Sequence, residues 1–105
     1  MTKFLYVLVR TDIPIENQIV QVAHACYDAG QRFKTGEYSH TLILLAVPDE
    51  ESLLKACTEI RSKNIDLEIF FEPDYPFGHT AACTGPVESL QRCHFRQFFL
   101  WRPGG

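Results

Sequence analysis

The stretch Phe4-Leu5-Tyr6-Val7-Leu8-Val9-Arg10-Thr11-Asp12-Ile13-Pro14 decides the fold class. Its first part is apolar up to Arg10, and Tyr6, Val7 and Val9 favour extended backbone, so it reads as a buried strand. Asp12-Ile13-Pro14 then reads as a helix start. Aspartate suits the cap, and proline is tolerated in the first turn because its missing N–H has no helical partner there. Glu16 adds negative charge at the positive end of the helix dipole. The predicted helix runs to Phe33 and closes at Lys34-Thr35-Gly36.

That helix is amphipathic. At about 100° per residue, Ile15, Ile19, Val22, Ala23, Cys26, Gly30 and Phe33 fall within an arc of about 100°. Asn17, Gln21, His24 and Asp28 fall on the opposite side within about 60°, as one narrow polar stripe. The apolar arc is expected to face the core.

Further strands and helices alternate down the chain. Ser39 to Val47 reads as a second strand, and its nearly continuous apolar run predicts burial on both faces. Pro48 ends it. Asp49-Glu50-Glu51 opens a second helix, with carboxylates in the first turn, and Asn64 suits its left-handed close. Ile65 to Glu72 reads as a third strand, and His79 to Thr84 as a fourth. The breaker-rich loop Asp74-Tyr75-Pro76-Phe77-Gly78 between them predicts an antiparallel hairpin. The tail is expected to form a short helix and then an extended Phe98-Phe99-Leu100-Trp101. This order predicts an α/β fold: a three-layer α/β/α domain around a four-stranded, mostly parallel, mixed sheet. Ligands in such folds bind at the carboxyl ends of the parallel strands. That edge collects Arg10 to Asp12, Glu72 to Asp74, the start of the first helix and, through the hairpin, His79 and Thr80.

The 105 residues suffice for one domain, spanning 1–105, and are too few for two. At 46 % hydrophobic content, a packed interior is expected rather than disorder. No apolar run approaches the roughly 18 residues of a membrane span, and the first residues do not resemble a signal peptide. A cytoplasmic protein with no membrane partner is expected. Ten Lys and Arg against thirteen Asp and Glu leave a net charge of −3. That balance argues against broad binding to a phosphate backbone, which needs a basic surface. Arg92, Arg96 and Arg102 could still form a local basic patch. Cys26, Cys57, Cys83 and Cys93 form no C-x-x-C pair and match no common zinc spacing, so free thiols, no metal and no cofactor are expected. No cysteine stands at a helix start beside a cation, which excludes a thiol-dependent enzyme.

Each polar candidate has a functional and a bland reading. His24 is of the residue type most often used as a general base; its stripe, lying opposite the apolar arc, equally suits a solvated face. Glu72 could orient a base or a water, or be a strand-end charge. Thr80 could hold a carbonyl, or be an ordinary strand residue. Arg10 could take a phosphate or an in-fold carboxylate such as Asp12. His79 sits in a loop, where most histidines are idle. The apolar tail suits core or a dimer surface better than a base-stacking platform, which needs basic neighbours.

Taken in order, Leu8-Val9-Arg10-Thr11-Asp12-Ile13, Gln21-Val22-Ala23-His24-Ala25, Lys63-Asn64-Ile65-Asp66 to Glu72, Gly78-His79-Thr80 and Gly85-Pro86 resemble the class II peptidyl-tRNA hydrolases. The Lys63-to-Glu72 segment and the short tail look closest to their shorter, divergent branch of peptidyl-tRNA hydrolase domain-containing proteins. Each motif is weak alone, but their shared order covers nearly the whole chain. The resemblance implies hydrolysis of the ester joining a peptide to the ribose of a tRNA, with peptidyl-tRNA as substrate. It implies His24, Glu72 and Thr80 as catalytic residues, with Arg10, Asp12, Asn17, Gln21 and His79 binding substrate. A homodimer that covers the apolar tail is expected. Two departures stand out. Asn17 occupies the place of the family's helix-start lysine, in a turn about two residues shorter and without glycines. Glu72 stands where the family has aspartate. A catalytically inactive interaction domain on the same fold is the alternative expectation.

Overall fold

The computed structural model describes residues 3–34, 36 and 40–104. Its elements are β1 (Phe4–Arg10), α1 (Ile15–Arg32), β2 (Thr41–Val47), α2 (Glu50–Arg61), β3 (Leu67–Glu72), β4 (Gly78–Thr84), a 3₁₀ segment (Ser89–Phe95) and β5 (Phe99–Leu100). The expected strand opening at Ser39 lies outside the described residues. One mixed sheet runs in the order β3-β4-β1-β2-β5. Two expectations are corrected here. The sheet has five strands rather than four, because the extended tail pairs antiparallel with β2 through Leu45–Leu100 and Ala46–Phe99. β1 and β2 are the only neighbours paired in parallel, because β4, antiparallel to both β1 and β3, lies between those two co-directional strands. The hairpin and this tail supply three antiparallel pairings, while α1 and α2 make two crossovers between strands of like direction.

Successive residues of β1 alternate between two cores, as the pleat requires. Tyr6 and Leu8 pack with Leu53, Ala56, Cys57 and Ile60 of α2 and with Phe95. Val7 and Val9 pack with Ala25 and Ala29 of α1 and with Ala81 and Cys83 of β4. The helices therefore cover opposite faces. The small residues of β4 sit between β3 and β1, and Thr80 to Thr84 are all buried.

The orientation of α1 departs from the predicted one. Its buried residues are Gln18, Gln21, Ala25 and Ala29, an arc of about 80° between the two stripes. Ile19, at the middle of the expected core face, is 60 % exposed. Two alanines let this face lie close on the sheet, and the two glutamines beside them find buried partners, described below. The helix start differs too. Pro14 is the cap residue, and its ring has no acceptor to supply a side-chain bond; Asp12, the expected cap, is engaged by Arg10. In α2, by contrast, Asp49 caps the helix by accepting from the Ser52 N–H at 2.8 Å, and Asn64 adopts the left-handed φ of 61° after it. The first half of β2 is not buried on both faces: Leu42 is 51 % exposed, since β5 reaches only Leu45 and Ala46.

Candidate functional site

The carboxyl ends of β1 and β3, the start of β4 and the first turns of α1 meet at one edge of the sheet. A β-bulge there aims the key side chains. Phe70 pairs with Ala81 and Phe71 with His79, so Thr80 is the extra residue in β4. A bulge bends its strand and re-aims the inserted side chain. Thr80 consequently reaches α1, alongside its neighbour Ala81. On β3, Phe70 and Glu72 share a face by the two-residue period, and both also meet α1.

The result is a buried chain of hydrogen bonds. The Thr80 hydroxyl donates to Gln21 Oε1 at 2.7 Å, and Gln21 Nε2 donates to Glu72 Oε2 at 2.8 Å. The other Glu72 oxygen accepts the Asp74 N–H at 3.1 Å. Gln21, Glu72 and Thr80 are all buried. A buried carboxylate is costly unless hydrogen-bonded, and here two N–H donors satisfy it. The Gln21 amide, the Asp74 N–H and the charge of nearby His24 hold Glu72 below the ordinary carboxylate range, against the opposing effect of burial. Glu72 is therefore ionised at neutral pH. His24 lies one turn along from Gln21, exposed, its ring stacked on Phe70 with centroids 4.5 Å apart and planes within 2°. An apolar platform thus holds an accessible imidazole beside a buried anion.

Arg10 makes a bidentate pair with Asp12, at 2.7 Å from Nε and 2.8 Å from Nη2. Its Nη1 donates to the carbonyls of Phe77 and His79. Hydrogen bonding to Asp12 raises the Arg10 pKa, and Arg10 holds Asp12 below the usual carboxylate range. Arg10 thus ties the β3–β4 turn to the end of β1. The His79 N–H donates to Glu50 Oε2 at 2.7 Å, with Nδ1 at 3.3 Å from the same oxygen. That bond also holds Glu50 below the carboxylate range. Asn17 is half-buried in the first turn of α1. Its side chain makes no hydrogen bond among the described residues.

Gln21, Glu72 and Thr80 are thus brought into direct contact, with His24 adjoining them. Arg10, Asp12 and His79 form a neighbouring group around the turn. Two participants carried no sequence signal. Glu50 reads as an ordinary first-turn carboxylate, yet it clamps the turn at Gly78 and His79. Gln18 reads as helix surface, yet it is buried, donating to the Ile13 carbonyl at 2.8 Å and accepting from Trp101 Nε1 at 2.7 Å. Among the described residues, no group of three or more His, Cys, Asp or Glu could hold a metal ion. No helix there is long and apolar enough to cross a membrane.

No family model and no curated protein matches the chain. Its fold is similar to the structure of a protein of unknown function, Atu0240, from Agrobacterium tumefaciens strain C58. The TM-score is 0.73 at 9 % identity, over 97 % of this chain and 99 % of that one. At such identity the likeness speaks to the fold alone.

Proposed function

We propose that the chain hydrolyses the ester bond between peptide and tRNA in peptidyl-tRNA, at the edge formed by His24 and Glu72. The observation that carries this reading is the buried Thr80–Gln21–Glu72 chain beneath an exposed imidazole. Such a network fixes a carboxylate without neutralising it. In the proposed reaction, His24 takes a proton from water, and the water oxygen bonds to the ester carbonyl carbon. The Glu72 charge stabilises the imidazolium that forms. The oxyanion is stabilised by the adjacent imidazolium, and the Ile15 and Glu16 N–H groups, in the first turn of a helix that lacks a side-chain cap and about 13 Å along its axis from His24, hold a phosphate of the tRNA. The Asn17 amide adds a further donor. Collapse breaks the bond to the ribose oxygen, which receives the proton from His24, leaving free tRNA and a peptide carboxylic acid that releases its proton to solvent.

Thr80 and Gln21 are buried and engaged with each other, so in this reaction they are positioning residues for Glu72. Arg10 and Asp12 keep the turn carrying His79 in place. The wider reading includes a three-layer α/β/α arrangement, supported by the separate cores on the two sheet faces. It also includes a cytoplasmic location, where translation supplies the substrate, and a homodimer through the tail. Phe99 and Leu100 are 83 % and 58 % exposed on the edge strand, and light scattering that finds only monomer at high concentration would remove the dimer. The enzyme reading is tested by tRNA release from purified peptidyl-tRNA. Wild type should turn over and His24→Ala should lose about 100-fold or more, the scale of general-base catalysis. Equal rates in the two proteins would overturn it.

A specific observation favours a second reading, an inactive interaction domain. Arg10 is already engaged by Asp12, and Asp12, Asp49, Glu50, Glu72 and Asp74 gather at the same edge with Asn17 in place of a cation. An acidic edge repels a phosphate backbone.

A further inference from the structure

The sheet face away from α1 carries a second concavity. It is a cleft of about 380 Å³ between the 3₁₀ segment and the β2–β5 edge. Its apolar wall is Ile43, Leu45, Phe98 and Leu100, and Arg92 and Arg96 stand beside it. Arg92 is held in a fixed pose. Its Nε donates to the Tyr6 hydroxyl at 3.0 Å, and its guanidinium lies over the Phe4 ring, 3.8 Å from the centroid. With Nε and one face occupied, the two terminal nitrogens remain as a paired donor edge, the geometry that grips a carboxylate or phosphate. No carboxylate among the described residues lies within salt-bridge range of Arg92 or Arg96. In a chain of net charge −3, two unneutralised arginines against one apolar cleft are a local exception.

We propose that this cleft binds a small amphiphilic anion: a carboxylate or phosphate monoester head on an aliphatic body. The head meets Arg92 and Arg96, and the body lies on Ile43, Leu45 and Leu100. The aromatic rings do not form a base sandwich. Tyr6 and Phe95 stack on each other at 3.8 Å, and the Phe4 face is taken by Arg92, so an alkyl body fits better than a nucleobase. The volume falls in the range of small-molecule sites. The site is independent of the His24–Glu72 edge, which lies on the other face of the sheet.

The test is a titration of the ¹⁵N-labelled full chain, followed by amide shifts, with octanoate, octyl phosphate and neutral octanol kept below micelle formation. The expected result is saturable shifts at Ile43, Leu45, Arg92 and Phe98 with at least one anion. Octanol should bind about tenfold more weakly or worse, on the scale of a charge-assisted hydrogen-bond pair. Comparing the two anions identifies the head group. Arg96→Gln, at an exposed position, should weaken anion binding severalfold and leave octanol unchanged. Arg92→Lys keeps the charge but loses the fork and should also weaken it. No saturable shift with either anion, or octanol binding as tightly as both, overturns the proposal. So does anion affinity indifferent to Arg96→Gln in a protein whose spectrum shows the native fold.

Discussion

Thr80→Val is close to isosteric and removes one hydroxyl from a buried position. In the wild type that hydroxyl donates to Gln21 Oε1 at 2.7 Å. Its loss leaves a buried amide oxygen without a partner, a penalty of about 1–3 kcal/mol. For a domain of this size, each 1 kcal/mol moves the thermal midpoint by about 4–8 °C, so a fall of roughly 5–20 °C is expected. Gln21→Leu should cost more, because it strands the Thr80 hydroxyl and removes the amide donor to Glu72 at 2.8 Å. The decisive comparison is Thr80→Val in the Gln21→Leu background. There the hydroxyl has already lost its acceptor, so deleting it should cost nothing or stabilise. The two changes should therefore couple by about 1 kcal/mol or more. Urea denaturation of the four proteins measures the cycle, provided the m-values agree. Additive costs, or a Thr80→Val change below about 0.5 kcal/mol in the wild type, would refute the network as drawn.

Four further outcomes are expected. Glu72 has a lowered folded pKa, so its stabilisation is present above the unfolded carboxylate pKa of about 4.3 and is lost as pH falls through the folded value. The stability gap between wild type and Glu72→Gln should therefore be widest near neutrality and close on acidification; a gap that widens in acid would contradict this. Gly78→Ala should destabilise by about 1 kcal/mol or more, because φ is +72° and a Cβ there would run into the Glu50 carboxylate. Glu50→Ala should relieve only the steric share, as denaturation of the double variant would reveal. Trp101→Phe removes the donor to buried Gln18 and should cost about 1–3 kcal/mol, while tryptophan fluorescence of the wild type, from its single Trp, should shift to the red in step with unfolding. Among the thiols, exposed Cys93 should react first with a chromogenic disulfide. Cys57, whose thiol burial pushes up to about 11, and buried Cys83 should react only on unfolding; early labelling of either would show an open core.

The strand and helix order was legible because the local signals agree with tertiary packing. Pro48 and Pro73 stop strands, Asp49 caps α2, Asn64 closes it, and the Asp74–Gly78 loop makes a hairpin. The face of α1 was not legible. Periodicity ranks residues by polarity, and Ile15, Ile19 and Val22 outrank two glutamines. Gln18 and Gln21 turn inward because their partners, 51, 59 and 83 positions away, accept and donate in matching geometry. No window of sequence contains such pairs. The extended tail at Phe98 to Trp101 was legible, but its place in the sheet was not, for a related reason: pairing with Leu45 and Ala46 alone makes β5 a strand. At the site, Gln21, His24, Glu72 and Thr80 were legible as an order of motifs. The bulge that aims Thr80, and the clamp formed by Glu50, were not, since both arise only once β3, β4 and α2 are assembled.

The most direct test of the proposed function is single-turnover release of tRNA from peptidyl-tRNA by the wild type and by Asn17→Lys, with folding confirmed for both. The expected result is measurable turnover by the wild type and a faster rate once a cation is restored at the start of α1. Folded protein that releases no tRNA, with or without the lysine, would contradict the hydrolase reading and leave the interaction domain in its place.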